Sequence, residues 1–220
     1  HPTAANHRLR VLRALALLSI HLGWRRDDPT AGVRKARYSA GDGFKTWPAE
    51  EVARFREHWP EDSVARRAFE LMREGGLRRS DAVRAGRQHV QGGLLVLRQA
   101  KTGDEVTAAI TPLLARVLAH TPPGQMLFIP RADGTPRSPR GFYNSFIAWC
   151  ASAGVSRGYG PHGLRKAHGN EVADAGGSEW EVAAALGQSS PSSSRPYTRQ
   201  ANRRRLALSA AAKVAAMREE

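Results

Sequence analysis

With a single cysteine, Cys150, the chain can form no internal disulfide, which excludes the cross-linked framework of a small secreted domain. No Cys/His cluster has zinc-site spacing, so no metal is expected, and no glycine-rich P-loop is present to hold a nucleotide. Long apolar runs are missing too. The longest near the start, residues 14–20, lies between arginines and is broken by Ser19, far short of the roughly 20 residues a membrane span needs. No small-residue cleavage site follows it, and Gly23-Trp24-Arg25-Arg26-Asp27-Asp28 is the wrong flank for a secretory signal. A reducing cytoplasm suits such a chain, and no membrane partner is expected. Acidic residues are outnumbered, 20 against 34 Lys and Arg, and the resulting formal charge of +14 exceeds what solubility requires. The expected partner is a polyanion, nucleic acid above all. The chain opens on His1 rather than Met, which suggests a piece of a longer polypeptide.

What is present reads as helices. Leu9, Leu12, Leu15, Leu18 and Leu22 recur every three or four residues between Arg8, Arg10 and Arg13, the pattern of an amphipathic helix with a basic outer face. Asp27-Asp28-Pro29 stops it, and residues 30–45 lack periodicity and read as a linker. A domain boundary is therefore placed there, with residues 1–29 before it and 46–220 after it. Beyond the boundary, Pro48, Glu50 and Glu51 start a helix whose stripe is Val52, Phe55 and Trp59. Asp62 or Ser63 caps a second helix, closed by Gly75-Gly76, and a short helix runs from Ser80 to Gly86.

Then the period changes. Leu95, Leu97 and Gln99 alternate with Leu94, Val96 and Arg98, Lys101-Thr102-Gly103-Asp104 reads as a turn, and residues 106–110 return, giving a β-hairpin with a lysine at its tip. Helices follow from Pro112 and around Phe142, Phe146 and Trp149, from His162 to about Ala175, and from the capping box Ser178/Glu181 to Gly187. Residues 189–194 read as a loop, and a final helix starts near Pro196. The fold class is α+β, mainly α-helical, with a small antiparallel sheet.

Several polar side chains stand at helix starts and turn tips, where a scaffold presents groups to a ligand. Arg78 follows Gly75-Gly76-Leu77, Lys101 tips the hairpin, His162 and Arg165 share a helical face, and Tyr197 follows a loop. Standing alone, Arg78 reads better as a solvated helix-end charge, Lys101 as a plain hairpin-tip lysine and His162 as a helix-start polar residue. Tyr38, Tyr143 and Tyr159 read as core or surface aromatics.

The order of these motifs is distinctive: Gly-Leu-Arg78-Arg-Ser-Asp81, then Lys101-Thr-Gly in a hairpin, then His162-Gly-Leu-Arg165-Lys, then Leu-Gly-Gln188, then Tyr197-Thr. It resembles the tyrosine recombinases of the phage integrase family, from about Gly43 to the end. The resemblance implies a catalytic-domain fold, double-stranded DNA at attachment sites as substrate, a tetramer on DNA, and no cofactor. It implies that Arg78 and Arg165 clamp the scissile phosphate, that Lys101 protonates the departing 5′-oxygen, and that His162 assists proton transfer. It further implies that Tyr197 attacks phosphorus to give a 3′-phosphotyrosine, and that Asp81 orients Arg78 from behind. Residues 1–29 are similar to the end of the core-binding domain, and the segment from Asn202 to Met217 to a terminal helix passed to a neighbouring protomer. A bacterial or phage-encoded, nucleoid-associated recombinase of a mobile element is expected.

The chemistry is self-consistent. Phenolate attack raises the charge on the equatorial phosphate oxygens, and two guanidiniums offer forked donors matched to them. One residue departs from the family pattern. Gln188 stands where His or Trp is usual, and its amide can donate a hydrogen bond but cannot carry a proton or a charge, so reduced or altered rather than abolished cleavage is expected. A type IB topoisomerase-like enzyme and a non-enzymatic DNA-binding remnant are the alternatives. An RNA-binding module fits less well, since neither an RNP-like aromatic strand nor a GXXG clamp is found.

Overall fold

The structure, a computed structural model, describes residues 2–37, 43–100 and 103–219, and divides into two units, residues 1–43 and 44–220. The first unit is one helix, α1 (Pro2–His21), and the segment that follows it. Gly23, at φ +73°, lets the chain turn back, and Asp28 Oδ1 then accepts from the Thr30 amide (2.8 Å) and hydroxyl (2.7 Å). Extended residues 33–37 are fastened along α1. Asn6 exchanges two hydrogen bonds with the Ala36 backbone (2.8 and 2.9 Å), and Arg13 donates to the Val33 carbonyl (2.6 Å). Leu9 and Ala16 are buried, but Leu12, Leu15, Leu18 and Leu22 stay exposed, so most of the expected apolar stripe remains uncovered. One extended segment is too narrow to cover a stripe that wide.

The second unit follows the predicted order. Its elements are α2 (Ala49–His58), α3 (Val64–Arg73), α4 (Arg79–Ala82), β1 (Val90–Gln91), β2 (Leu94–Arg98), β3 (Glu105–Ala109), α5 (Pro112–Ala119), α6 (Pro139–Ser152), α7 (Pro161–Asp174), α8 (Glu179–Ala185) and α9 (Arg195–Glu219). Side-chain oxygens satisfy the orphan amides at several helix starts. Ser63, Thr111 and Ser138 accept from the third residue on, and Ser178 and Glu181 form the reciprocal box the sequence suggests. The sheet is antiparallel in the order β1-β2-β3, with Leu95 opposite Ala108 and Leu97 opposite Val106, all four buried. The short strand β1 was not foreseen, because two residues leave no readable alternation. The segment expected as a loop before α9 contains a 3₁₀ turn at Pro191–Ser193, held by Ser190 and Ser194.

The core is aromatic. Phe55 stacks on Phe69 (4.4 Å between ring centres), and Trp47 and Phe146 close around them. Helix α3 lies buried along its whole length, so its charged residues need partners inside. Glu70 is fully buried and accepts a two-pronged bond from Arg56 (2.8 and 2.9 Å) and another from Arg66 (2.7 Å). Arg67 has carbonyls instead: it donates to those of Phe128 (2.9 Å) and Asp62 (2.6 Å), tying two loops to the helix. Helix α7 packs on α3, α8 and α9, so the motifs they carry meet around it. In α9 only the first turns are covered: Thr198 and Ala201 are buried, whereas Leu206, Leu208, Val214 and Met217 are exposed.

Candidate active site

The site begins where α3 ends. Gly76 takes φ +59°, a conformation that L side chains rarely adopt, and a Cβ there would also press on the Ala185 carbonyl (2.5 Å) and His168 (2.8 Å). This tight turn delivers Arg78 to the N-cap of α4, from which its guanidinium donates to Gln99 Oε1 and to the Gly187 carbonyl (3.3 Å). Arg165 reaches the same place from α7. Nearly buried, it donates to the carbonyls of Gly76 and Leu186. The turn 186–187 therefore meets both arginines, one on each of two successive carbonyls. Gly187, at φ +49°, has no room for a Cβ against Val106, which fixes that turn on β3.

A buried guanidinium with a like charge nearby is disfavoured in its charged form. Burial first, then Arg78, pushes the Arg165 guanidinium down to about 10, with Tyr197 and Asp81 acting in the opposite sense, and it stays charged at neutral pH. A phosphate between the two arginines would relieve this repulsion. Tyr197 stands near enough to act on Arg165 electrostatically. It lies in the first turn of α9, with its ring packed on the cluster of Ala173, Val182, Leu186 and Ala201. Ser194, fully buried, holds the preceding turn by donating to the Glu179 carbonyl (2.9 Å).

His162 occupies the first turn of α7, half-buried, with its ring stacked on Phe44 (4.5 Å, 22°). Burial, followed by Arg79, Arg165 and Arg78, lowers its pKa, so the imidazole is neutral and able to accept a proton at neutral pH. Gln188 follows directly on the turn that meets both arginines, and its side-chain oxygen is buried without a hydrogen-bond partner. Asp81 is buried and accepts from the Ala100 amide (2.9 Å), pinning the end of β2 just before the hairpin tip. Lys101 itself lies outside the described residues, as does Tyr38.

Thus Arg78, Arg165, His162 and Tyr197 share one electrostatic neighbourhood, and Gln188 borders it. Sequence reasoning missed Gln99. Beside Arg78, where an acid was expected to act, it accepts from the guanidinium and donates to the Gly187 carbonyl. Its signal was available: a polar side chain in the buried phase of a strand, after Leu95 and Leu97. No group of acidic, His or Cys side chains able to hold a metal occurs among the described residues.

The fold is shared with known proteins. A lambda integrase dimer bound to a COC′ core site superposes with a TM-score of 0.76 at 20% identity, over 90% of this chain and 59% of that one. The Tn1549 transposon integrase (residues 82–397), in complex with circular intermediate DNA, gives 0.69 at 14% identity over 89% and 74%. The XerA recombinase gives 0.63 at 14% identity over 90% and 73%. This chain thus spans about three fifths of the lambda integrase chain in that first comparison. No curated protein matches in sequence. At such identities the structures establish the fold, that of tyrosine recombinase catalytic domains. The phage integrase family profile, however, matches residues 48–204, most of the length and every motif from Arg78 to Tyr197, and the chain belongs to the phage integrase family.

Proposed function

We propose that the chain is the catalytic part of a site-specific DNA recombinase that cuts and rejoins duplex DNA through Tyr197. The observation that supports this best is the pair of guanidiniums brought side by side over the 186–187 turn, with Tyr197 within electrostatic reach. In this reading the phosphate lies between Arg78 and Arg165. The Tyr197 oxygen bonds to phosphorus, its proton passes to neutral His162, and the bond from phosphorus to the 5′-oxygen breaks. That oxygen leaves as a hydroxyl with a proton from Lys101. Reversal, with the 5′-hydroxyl of another strand as nucleophile, rejoins the DNA and needs no nucleotide cofactor. Gln99 takes over the orienting of Arg78, Asp81 fixes the base of the hairpin carrying Lys101, and Gln188 offers an amide donor to the phosphate.

Residues 1–29 are read as the end of a core-binding domain and 30–45 as a linker. Lambda integrase is seen as a dimer on a core site and as a tetramer on a Holliday junction, which supports a tetramer on paired attachment sites here as well. A bacterial or phage-encoded protein of a mobile element, acting at the nucleoid, fits this reading, and no described helix is long and apolar enough to cross a membrane.

The test is covalent capture from a pool of randomised, nicked duplexes. A protein–DNA adduct resistant to denaturant is expected from the native chain and none from Tyr197→Phe. Binding without any adduct would instead identify a non-enzymatic DNA-binding remnant.

A further inference from the structure

Around His162, the proton acceptor in the reaction above, the second unit has a hollow of about 220 Å³ whose other lining residues that reaction does not use. Its walls are Phe44, Tyr143, Ile147 and Tyr159, and its floor is the backbone leading into α7. Two of these rings face water, Phe44 at 63% and Tyr143 at 42% exposure, although apolar surface of this kind gains by burial. Cations stand over the rings: Arg79 lies 5.5 Å from the centre of Tyr143, and Lys45 lies 5.6 Å from that of Tyr159. No carboxylate is among the described residues lining the hollow. Flat aromatic walls with a cationic rim suit a flat, π-faced group attached to a polyanion.

We infer that this hollow receives one base of the strand being cut, turned out of the stack beside the phosphate held by Arg78 and Arg165. The inference rests on the recombinase reading. Phe44 continues from the ring of His162, so a base laid against it extends a stack that begins at the reacting centre. Gly160 supports the same conclusion. Its φ of −159° is extended backbone open to any residue, and a Cβ there would make only ordinary contacts, 3.8 Å to Tyr143 and 3.9 Å to Ile147. The fold does not demand glycine at 160; what glycine does there is leave the hollow open. Arg79 and Lys45 then meet the phosphates flanking the displaced base. Such a site favours cleavage where a base pair beside the cut opens easily, because turning a base out costs least when its pairing is already weak.

The experiment uses a duplex recovered by covalent capture, with a mismatch placed in turn at each of the base pairs flanking the cut. The expected result is one position at which the mismatch speeds adduct formation about tenfold, within the range of base–aromatic stacking. That gain should fall below about twofold in Tyr143→Ala, which removes a wall, and in Gly160→Val, which fills the hollow. Adducts that form at the same rate whatever the mismatch, or a gain undiminished in both variants, would overturn the inference while leaving the recombinase intact. Absence of any adduct with any duplex would overturn the recombinase reading and this inference with it.

Discussion

Arg165 depends on its forked shape as much as on its charge. Both terminal nitrogens of the guanidinium donate to carbonyls, one to Gly76 and one to Leu186, which fixes its orientation. Arg165→Lys keeps the charge but loses this fixed geometry, so adduct formation should fall about 10²–10³-fold while thermal unfolding stays cooperative. His162 gives a pH prediction. Because burial and the neighbouring arginines lower its pKa, the acid limb of the adduct-formation rate should have its midpoint below the ordinary histidine value of about 6.5. Arg79→Gln should move that midpoint upward in a rate–pH titration. The sign for stability follows from the same shift. Acidification through about 6.5 protonates the unfolded imidazole before the folded one, so His162 contributes stability above this pH that is lost as pH falls to its folded pKa. At this scale the sequence was legible in part. Arg78, His162, Arg165 and Tyr197 could be read from their order, whereas Gln99 could not be paired with Arg78, because a contact across 21 positions leaves no local periodicity.

Among the elements, α3 has the most demanding interior. Glu70 has no access to solvent and holds Arg56 and Arg66 together, and Arg56 also meets Glu74 (3.0 Å), which accepts from Thr111 at the start of α5 (3.1 Å). Glu70→Ala leaves the buried Arg66 guanidinium without a carboxylate and Arg56 with Glu74 alone, a loss of about 3–5 kcal/mol that chemical denaturation would register. The effect should be on folding alone, since this network is separate from the arginine pair at the site. The caps and the hairpin were legible because they depend on residues close in sequence: Ser178 with Glu181, Thr111 before Pro112, and the alternation of Leu95 and Leu97. Strand β1 and the turn before α9 were not, being pieces of two and three residues fixed by their neighbours.

For the whole molecule the formal charge of +14 sets long-range behaviour. If the DNA-binding surface includes the basic face of α1, where Arg8 and Arg10 are exposed, every phosphate left without its arginine should flatten the log–log salt dependence of duplex binding by about 0.9. Arg8→Gln with Arg10→Gln tests this in a salt titration, and an unchanged slope would remove α1 from the DNA-binding surface. The sequence by itself determined the helical class, the hairpin and the order of the motifs, because caps, turns and apolar periods act over a few residues. It also set the net positive charge, which needs no fold to be counted. Only the tertiary structure decided that the Gly76 turn and the 186–187 turn hold two arginines from separate helices side by side, and that Gln99 stands beside one of them. It alone decided that a glycine at 160 leaves an aromatic hollow open beside His162. These are meetings of distant segments, set by the packing of α7 against α3, α8 and α9, and no local rule encodes them.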